Sequence, residues 1–186
     1  MIALLLAAVP AGAEGRLSAG TREFTLAGAY SVSHEISGTE AGLTGFQLLP
    51  HLGLVLTEPW GPAWIRGQVE ALAEPTLVNI EGPESTNLVG LSALARWVFA
   101  SRGASWWRPY VEAGVGVVTG EPGLPQLDCE VNFILQTGVG VLLFWSETSA
   151  VTLGYRLHHV SNSNLCGANR GLNSAVFMIG LSRFFD

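Results

Sequence analysis

The sequence predicts an all-β chain, closed into an eight-stranded antiparallel transmembrane β-barrel, and three observations carry that reading. Eight segments alternate apolar with small or polar residues at a period of two, each bounded by turn residues. The composition is 48% hydrophobic and 13% charged, about half the charged share of a soluble domain, with 23 glycines and no lysine. The polar parity is too thin, and too interleaved with glycine, to cover a surface facing water. It suits a narrow lumen filled by side chains, with the apolar parity turned to hydrocarbon and every backbone group paired around a closed sheet.

The segments run in order. Residues 22–33 and 42–56 open the series with one apolar and one small or polar parity. Segment 63–77 places Arg66, Gln68 and Glu70 on its polar side. In 87–99, Val89, Leu91, Ala93, Ala95, Trp97 and Phe99 oppose Gly90, Ser92 and Arg96. Segment 108–119 contributes Glu112 to the polar set. In 131–145, Phe133, Leu135, Val139, Val141, Leu143 and Trp145 oppose Asn132, Gln136, Gly138 and Gly140. Segment 149–160 has Val151, Leu153, Tyr155 and Leu157 on one parity and Thr152, Gly154, Arg156 and His158 on the other. Last, 174–185 sets Phe177, Ile179, Leu181 and Phe185 against Ser174, Met178, Gly180 and Ser182. His158 is read as a lumen residue that pairs with Glu112 or solvent.

The tryptophans orient the barrel. Both termini of an even-stranded outer-membrane barrel lie on the periplasmic side, which makes 57–62, 100–107 and 146–148 the short periplasmic turns. Trp60, Trp64, Trp97, Trp106, Trp107 and Trp145 fall in or beside those turns, with Phe184 and Phe185 at the chain end. Such a girdle marks the membrane–water boundary. The outer loops are then 34–41, 78–86, 120–130 and 161–173.

Residues 1–13 read as a secretory signal, with an apolar run from Ile2 to Val9 and an Ala11-Gly12-Ala13 cleavage pattern; a short buried helix is the alternative. Residues 14–186 form one barrel domain. The net charge of −6, with no clustered basic face, excludes a nucleic-acid binder. No metal site or cofactor is implied. The neighbours His158 and His159 point oppositely along a strand and so cannot chelate one ion together. Cys129 and Cys166 fall in adjacent outer loops, where an oxidising compartment favours a disulfide clamping the last loop; two free thiols are the alternative.

Chemistry concentrates at His159-Val160-Ser161-Asn162, where the seventh segment runs out into a loop. His159 and Ser161 share one parity, about 6–7 Å apart along the strand, and it is the apolar one. A base and a hydroxyl on the lipid side suit an enzyme acting on a lipid. A serine hydroxyl needs a base to take its proton, and that base needs a third group to fix its tautomer. The loop brings Asn173 back beside His159, where its carbonyl can accept from the imidazole N–H. Asn162, and backbone N–H groups near Ser163 and Asn164, are candidate oxyanion donors. Arg170 is the cation placed to meet a substrate phosphate.

The stretch His159-Val160-Ser161-Asn162, followed by Asn169-Arg170-Gly171-Leu172-Asn173-Ser174, resembles the lipid A 3-O-deacylase family of outer-membrane enzymes. The likeness is specific over 155–185 and looser upstream, where Pro109-Tyr110-Val111-Glu112-Ala113-Gly114 is a further point of similarity. It implies Ser161 as nucleophile, His159 as base, Asn173 as orienting residue and Asn162 in the oxyanion hole. The best-known form of the family carries Glu where this chain has Asn173, so the resemblance implies the reaction class more strongly than the rate. The implied substrate is lipid A of lipopolysaccharide, in the outer leaflet of a bacterial outer membrane. A second copy of the chain, as a homodimer, is the protein partner considered. The alternatives are an esterase acting on phospholipid and a non-enzymatic structural or adhesive barrel.

Overall fold

The computed structural model describes residues 17–35, 42–81, 85–100, 106–120, 129–167 and 171–186. The expected signal segment 1–13 lies outside them. The strands are β1 (Arg22–Ser33), β2 (Thr44–Val55), β3 (Gly67–Glu81), β4 (Thr86–Phe99), β5 (Trp107–Gly120), β6 (Val131–Ser146), β7 (Ser149–Ser161) and β8 (Leu172–Phe185). Each pairs antiparallel with its chain neighbour, and β8 returns to β1, so the eight-stranded sheet closes without an edge.

Burial alternates along most of each strand, with breaks at the ends of β3, within β6 and at the start of β7. The outward parity is apolar: Leu135 is 61% exposed, Ile179 61% and Leu181 63%. Water would not stabilise that surface, whereas hydrocarbon does. The inward parity holds an ionic network that ties seven strands together. Arg96 on β4 donates from Nη1 to Glu23 on β1 (3.0 Å) and Glu70 on β3 (3.2 Å), and from Nε to Glu112 on β5 (3.0 Å). Arg156 on β7 donates to the other Glu112 oxygen (2.5 Å), to Glu74 (2.6 Å) and to Gln136 on β6 (3.1 Å). His51 on β2 meets Glu74 at 2.7 Å, and the Arg96 guanidinium lies 4.3 Å from the Tyr110 ring centroid. Charges this buried persist only when paired and hydrogen-bonded, and each guanidinium here is shared among carboxylates.

Apolar clusters close the lumen above and below this network. Toward the outer end sit Leu43, Ile80, Leu88, Val118, Ile134 and Leu172. Toward the end bearing the termini, Phe144 packs on Phe184 with ring centroids 5.3 Å apart. Among the described residues, side chains fill the lumen between these clusters.

Several expectations need correction. β3 starts at Gly67, not residue 63, because 61–66 is a turn closed by the Trp60–Gly67 bridge; Arg66 is therefore exposed on that turn, outside the lumen. β3 also continues through Val78–Glu81, where the sequence predicts a loop. At this end of β3 the pattern inverts, with Ile80 buried inside and Asn79 outside, donating to Asn87 Oδ1 at 2.9 Å. Phe184 points inward and is 1% exposed, so only Phe185 extends the girdle. His158 is in the lumen, but Glu112 is engaged by the two arginines. Trp60, Trp64, Trp106, Trp107 and Trp145 are exposed at the expected rim, and Trp97 is fixed there by donating to the Ile65 carbonyl at 3.1 Å.

Candidate active site

β7 delivers the site. Its even residues Arg156 and His158 are buried in the lumen, so His159 and Ser161 emerge on the outside near the strand's outer end. β8 runs antiparallel beside it with His159 opposite Asn173. The cross-strand pair is directly bonded, His159 Nδ1 to Asn173 Oδ1, at 2.8 Å. An amide oxygen only accepts, so Nδ1 donates and the Nε2 lone pair is left for a proton.

Gly171 lies close to the same ring. Its φ is +71°, and a Cβ built there would lie 2.9 Å from His159 Cε1. A side chain at 171 would meet both the left-handed backbone penalty and the imidazole. In the sequence Gly171 stands only as part of a motif. Its role was not visible until the register put it against the histidine, although a glycine two residues before Asn173 was the available signal.

Beyond Ser161 the chain makes a tight turn. Asn162 Oδ1 accepts from the Asn164 N–H at 2.9 Å, and the Asn162 carbonyl accepts from the Leu165 N–H at 3.0 Å. Ser163 and Asn164 both adopt left-handed φ, at 52° and 61°. Asn162 is fully buried behind this turn, while Ser163 and Asn164 are exposed on it. The Asn164 amide is thus committed to the turn. Cys166 is joined to Cys129, just before β6, with Cα atoms 5.7 Å apart, which ties the turn to the neighbouring strand. Arg170 lies outside the described residues.

His159, Ser161 and Ser163 border one groove of about 660 Å³ on the outer face, floored by Ala93, Gly116 and Ala73. Leu91, Val115, Val117, Phe133 and Leu135 wall it. Small residues on a face otherwise built of Leu, Val and Phe leave the depression. Asn162, Asn164 and Asn173 do not line it. The arrangement offers a base with a defined tautomer and a hydroxyl at the mouth of an apolar slot, which are the parts needed to attack a lipid ester.

A family model described as lipid A 3-O-deacylase (PagL) matches residues 51–182. Among solved structures, the chain is similar to that of the outer membrane enzyme PagL, at 18% identity and a TM-score of 0.65, covering 84% of this chain and 97% of that one. It is also similar to the outer membrane protein OprG from Pseudomonas aeruginosa, at 16% identity and a TM-score of 0.56, covering 93% and 99%. The N-terminal β-barrel domain of Pseudomonas aeruginosa OprF follows at 14% identity and a TM-score of 0.51, covering 89% and 99%. No curated protein matches the sequence. At these identities the structural likenesses establish the barrel alone; the family model, spanning most of the chain, establishes more.

Proposed function

The chain belongs to the lipid A 3-O-deacylase family, and from that premise we propose that it is a serine esterase releasing the 3-O acyl chain of lipid A at the outer leaflet of the outer membrane. The observation that carries this reading is the 2.8 Å His159–Asn173 bond beside Ser161 on the lipid-facing side of the barrel. The substrate ester lies in the same layer, so its acyl chain need not leave hydrocarbon.

In the first half-reaction His159 Nε2 takes the Ser161 proton as Oγ bonds to the ester carbonyl carbon. The carbonyl oxygen becomes an oxyanion, and the turn after Ser161 supplies the donors. The candidate that borders the groove is Ser163 through its N–H; the Asn162 carboxamide, the donor expected from the sequence, is buried behind the turn and held by its bond from the Asn164 amide. Collapse breaks the bond to the sugar oxygen, which receives the proton from the imidazolium and departs as the hydroxyl. In the second half-reaction water gives His159 a proton and attacks the acyl-serine. The fatty acid leaves, and Ser161 recovers its hydrogen. Asn173 fixes the tautomer throughout without adding charge. Arg170 is the candidate partner for a lipid A phosphate.

A membrane-permeant alkyl fluorophosphonate, applied to the protein in lipid vesicles, tests the assignment. The expected adduct maps to the peptide containing Ser161, is absent from Ser161→Ala, and forms about 10²-fold or more slowly in His159→Ala. Equal labelling of Ser161→Ala, or none of the wild type, overturns the reading.

A further inference from the structure

We propose that the Cys129–Cys166 disulfide is a positioning device for the acyl-transfer step. It holds the turn that brings the Ser163 N–H to the groove, so the oxidised chain turns over and the reduced chain does so slowly. The inference rests on the esterase reading above. The sequence places one cysteine five residues after Ser161 and the other two residues before β6, the strand paired with β7.

β7 leaves its ladders where the turn begins. Its pairing with β8 ends at Val160–Leu172, and its pairing with β6 ends at Ser161–Phe133. From Asn162 onward, strand register no longer fixes the backbone. Inside the turn, Asn162 accepts from the N–H groups of Asn164 and Leu165. Ser163 and Asn164 sit at φ of 52° and 61°. Neither is glycine, and a serine holds that region only where its surroundings impose it. Ser163 is also the turn residue that borders the groove. The conformation the oxyanion donor needs is therefore one that the bare chain disfavours.

The disulfide supplies a restraint from outside the turn. Cys129 is 8% exposed, and its carbonyl accepts from Asn132 Nδ2 at 2.8 Å, which seats it on the end of β6. Its Cα lies 5.7 Å from that of Cys166. Residues 129–133 and 161–166 thus form a closed ring, with the Phe133–Ser161 pair on one side and the sulfur bridge on the other. Closing so short a ring removes most of the alternative paths open to 162–165. Cys166 is exposed at the outer rim, where a dithiol can attack its sulfur. Reduction moves two electrons into the S–S bond and yields two thiols, while the dithiol leaves as its own disulfide. The ring opens, the turn relaxes to ordinary φ, and the Ser163 N–H leaves the oxyanion position. Loss of one such donor lowers kcat about 10²-fold, with the groove and the His159–Asn173 bond untouched.

The test follows hydrolysis of one medium-chain p-nitrophenyl ester by the protein in lipid vesicles. Wild type is measured oxidised, reduced with dithiothreitol and reoxidised, beside the Cys129→Ser/Cys166→Ser variant. Urea unfolding of each form reports on the barrel separately. On reduction kcat is expected to fall about 10²-fold with KM unchanged, to return on reoxidation, and to be low in the variant under both conditions. A reduced chain or a variant with the kcat of the oxidised wild type overturns the positioning role and leaves the esterase reading standing. So does a rise in KM at constant kcat, or a fall in kcat that accompanies loss of the folded barrel. No hydrolysis by the oxidised wild type overturns both.

Discussion

At Gly171 a methyl group in place of one hydrogen would press on the His159 imidazole. The left-handed φ of +71° and the 2.9 Å approach of a would-be Cβ to His159 Cε1 act together. Gly171→Ala is therefore expected to lower lipid A deacylation about 10²-fold or more, with a fold cost of only about 1–2 kcal/mol. Asn173→Ala should produce a similar loss by a different route, freeing the ring to take the other tautomer. Rates in vesicles alongside urea unfolding check both; full activity in either variant contradicts the proposed arrangement. His159 and Ser161 were legible in the sequence because parity within one strand needs no knowledge of neighbours. Asn173 was legible because the loop returns its strand alongside. Gly171 and the buried side of Asn162 were not, since one depends on cross-strand register and the other on a turn where alternation has stopped.

Among the elements, β3 records where alternation misleads. Its lower end was misread because 61–66 mimics a strand until Gly67 pairs with Trp60. Its upper end departs from the pattern because the apolar parity turns inward there, at Ile80. The remaining strands follow the sequence closely, since hydrocarbon outside and a crowded lumen inside reject a one-residue slip. What parity could not reveal was the pairing within the lumen. Glu112 was recognised as a lumen residue, but its two partners come from β4 and β7, and Glu23, Glu74 and His51 were not singled out at all. Removing the carboxylate that both guanidiniums share leaves two buried cations short of a partner. Glu112→Ala is expected to destabilise the barrel by about 3–5 kcal/mol, read as a lower midpoint of urea unfolding from vesicles. An unchanged midpoint would remove the network from the account of stability.

For the molecule as a whole, a plugged lumen and an oily exterior fix where chemistry can happen. The core is occupied by paired charges and closed by apolar clusters, which leaves the rim and the outer face to the proposed chemistry. His159, Ser161 and the groove they border all lie there, on the apolar outer face. The disulfide between Cys129 and Cys166 braces the loop beside them. The most direct measurement is the mass spectrum of lipid A from cells making the wild-type chain and from cells making Ser161→Ala at equal abundance in the outer membrane. The account predicts that lipid A loses the mass of one ester-linked 3-hydroxyacyl group with the wild type and stays whole with the variant. Identical spectra from the two would contradict it.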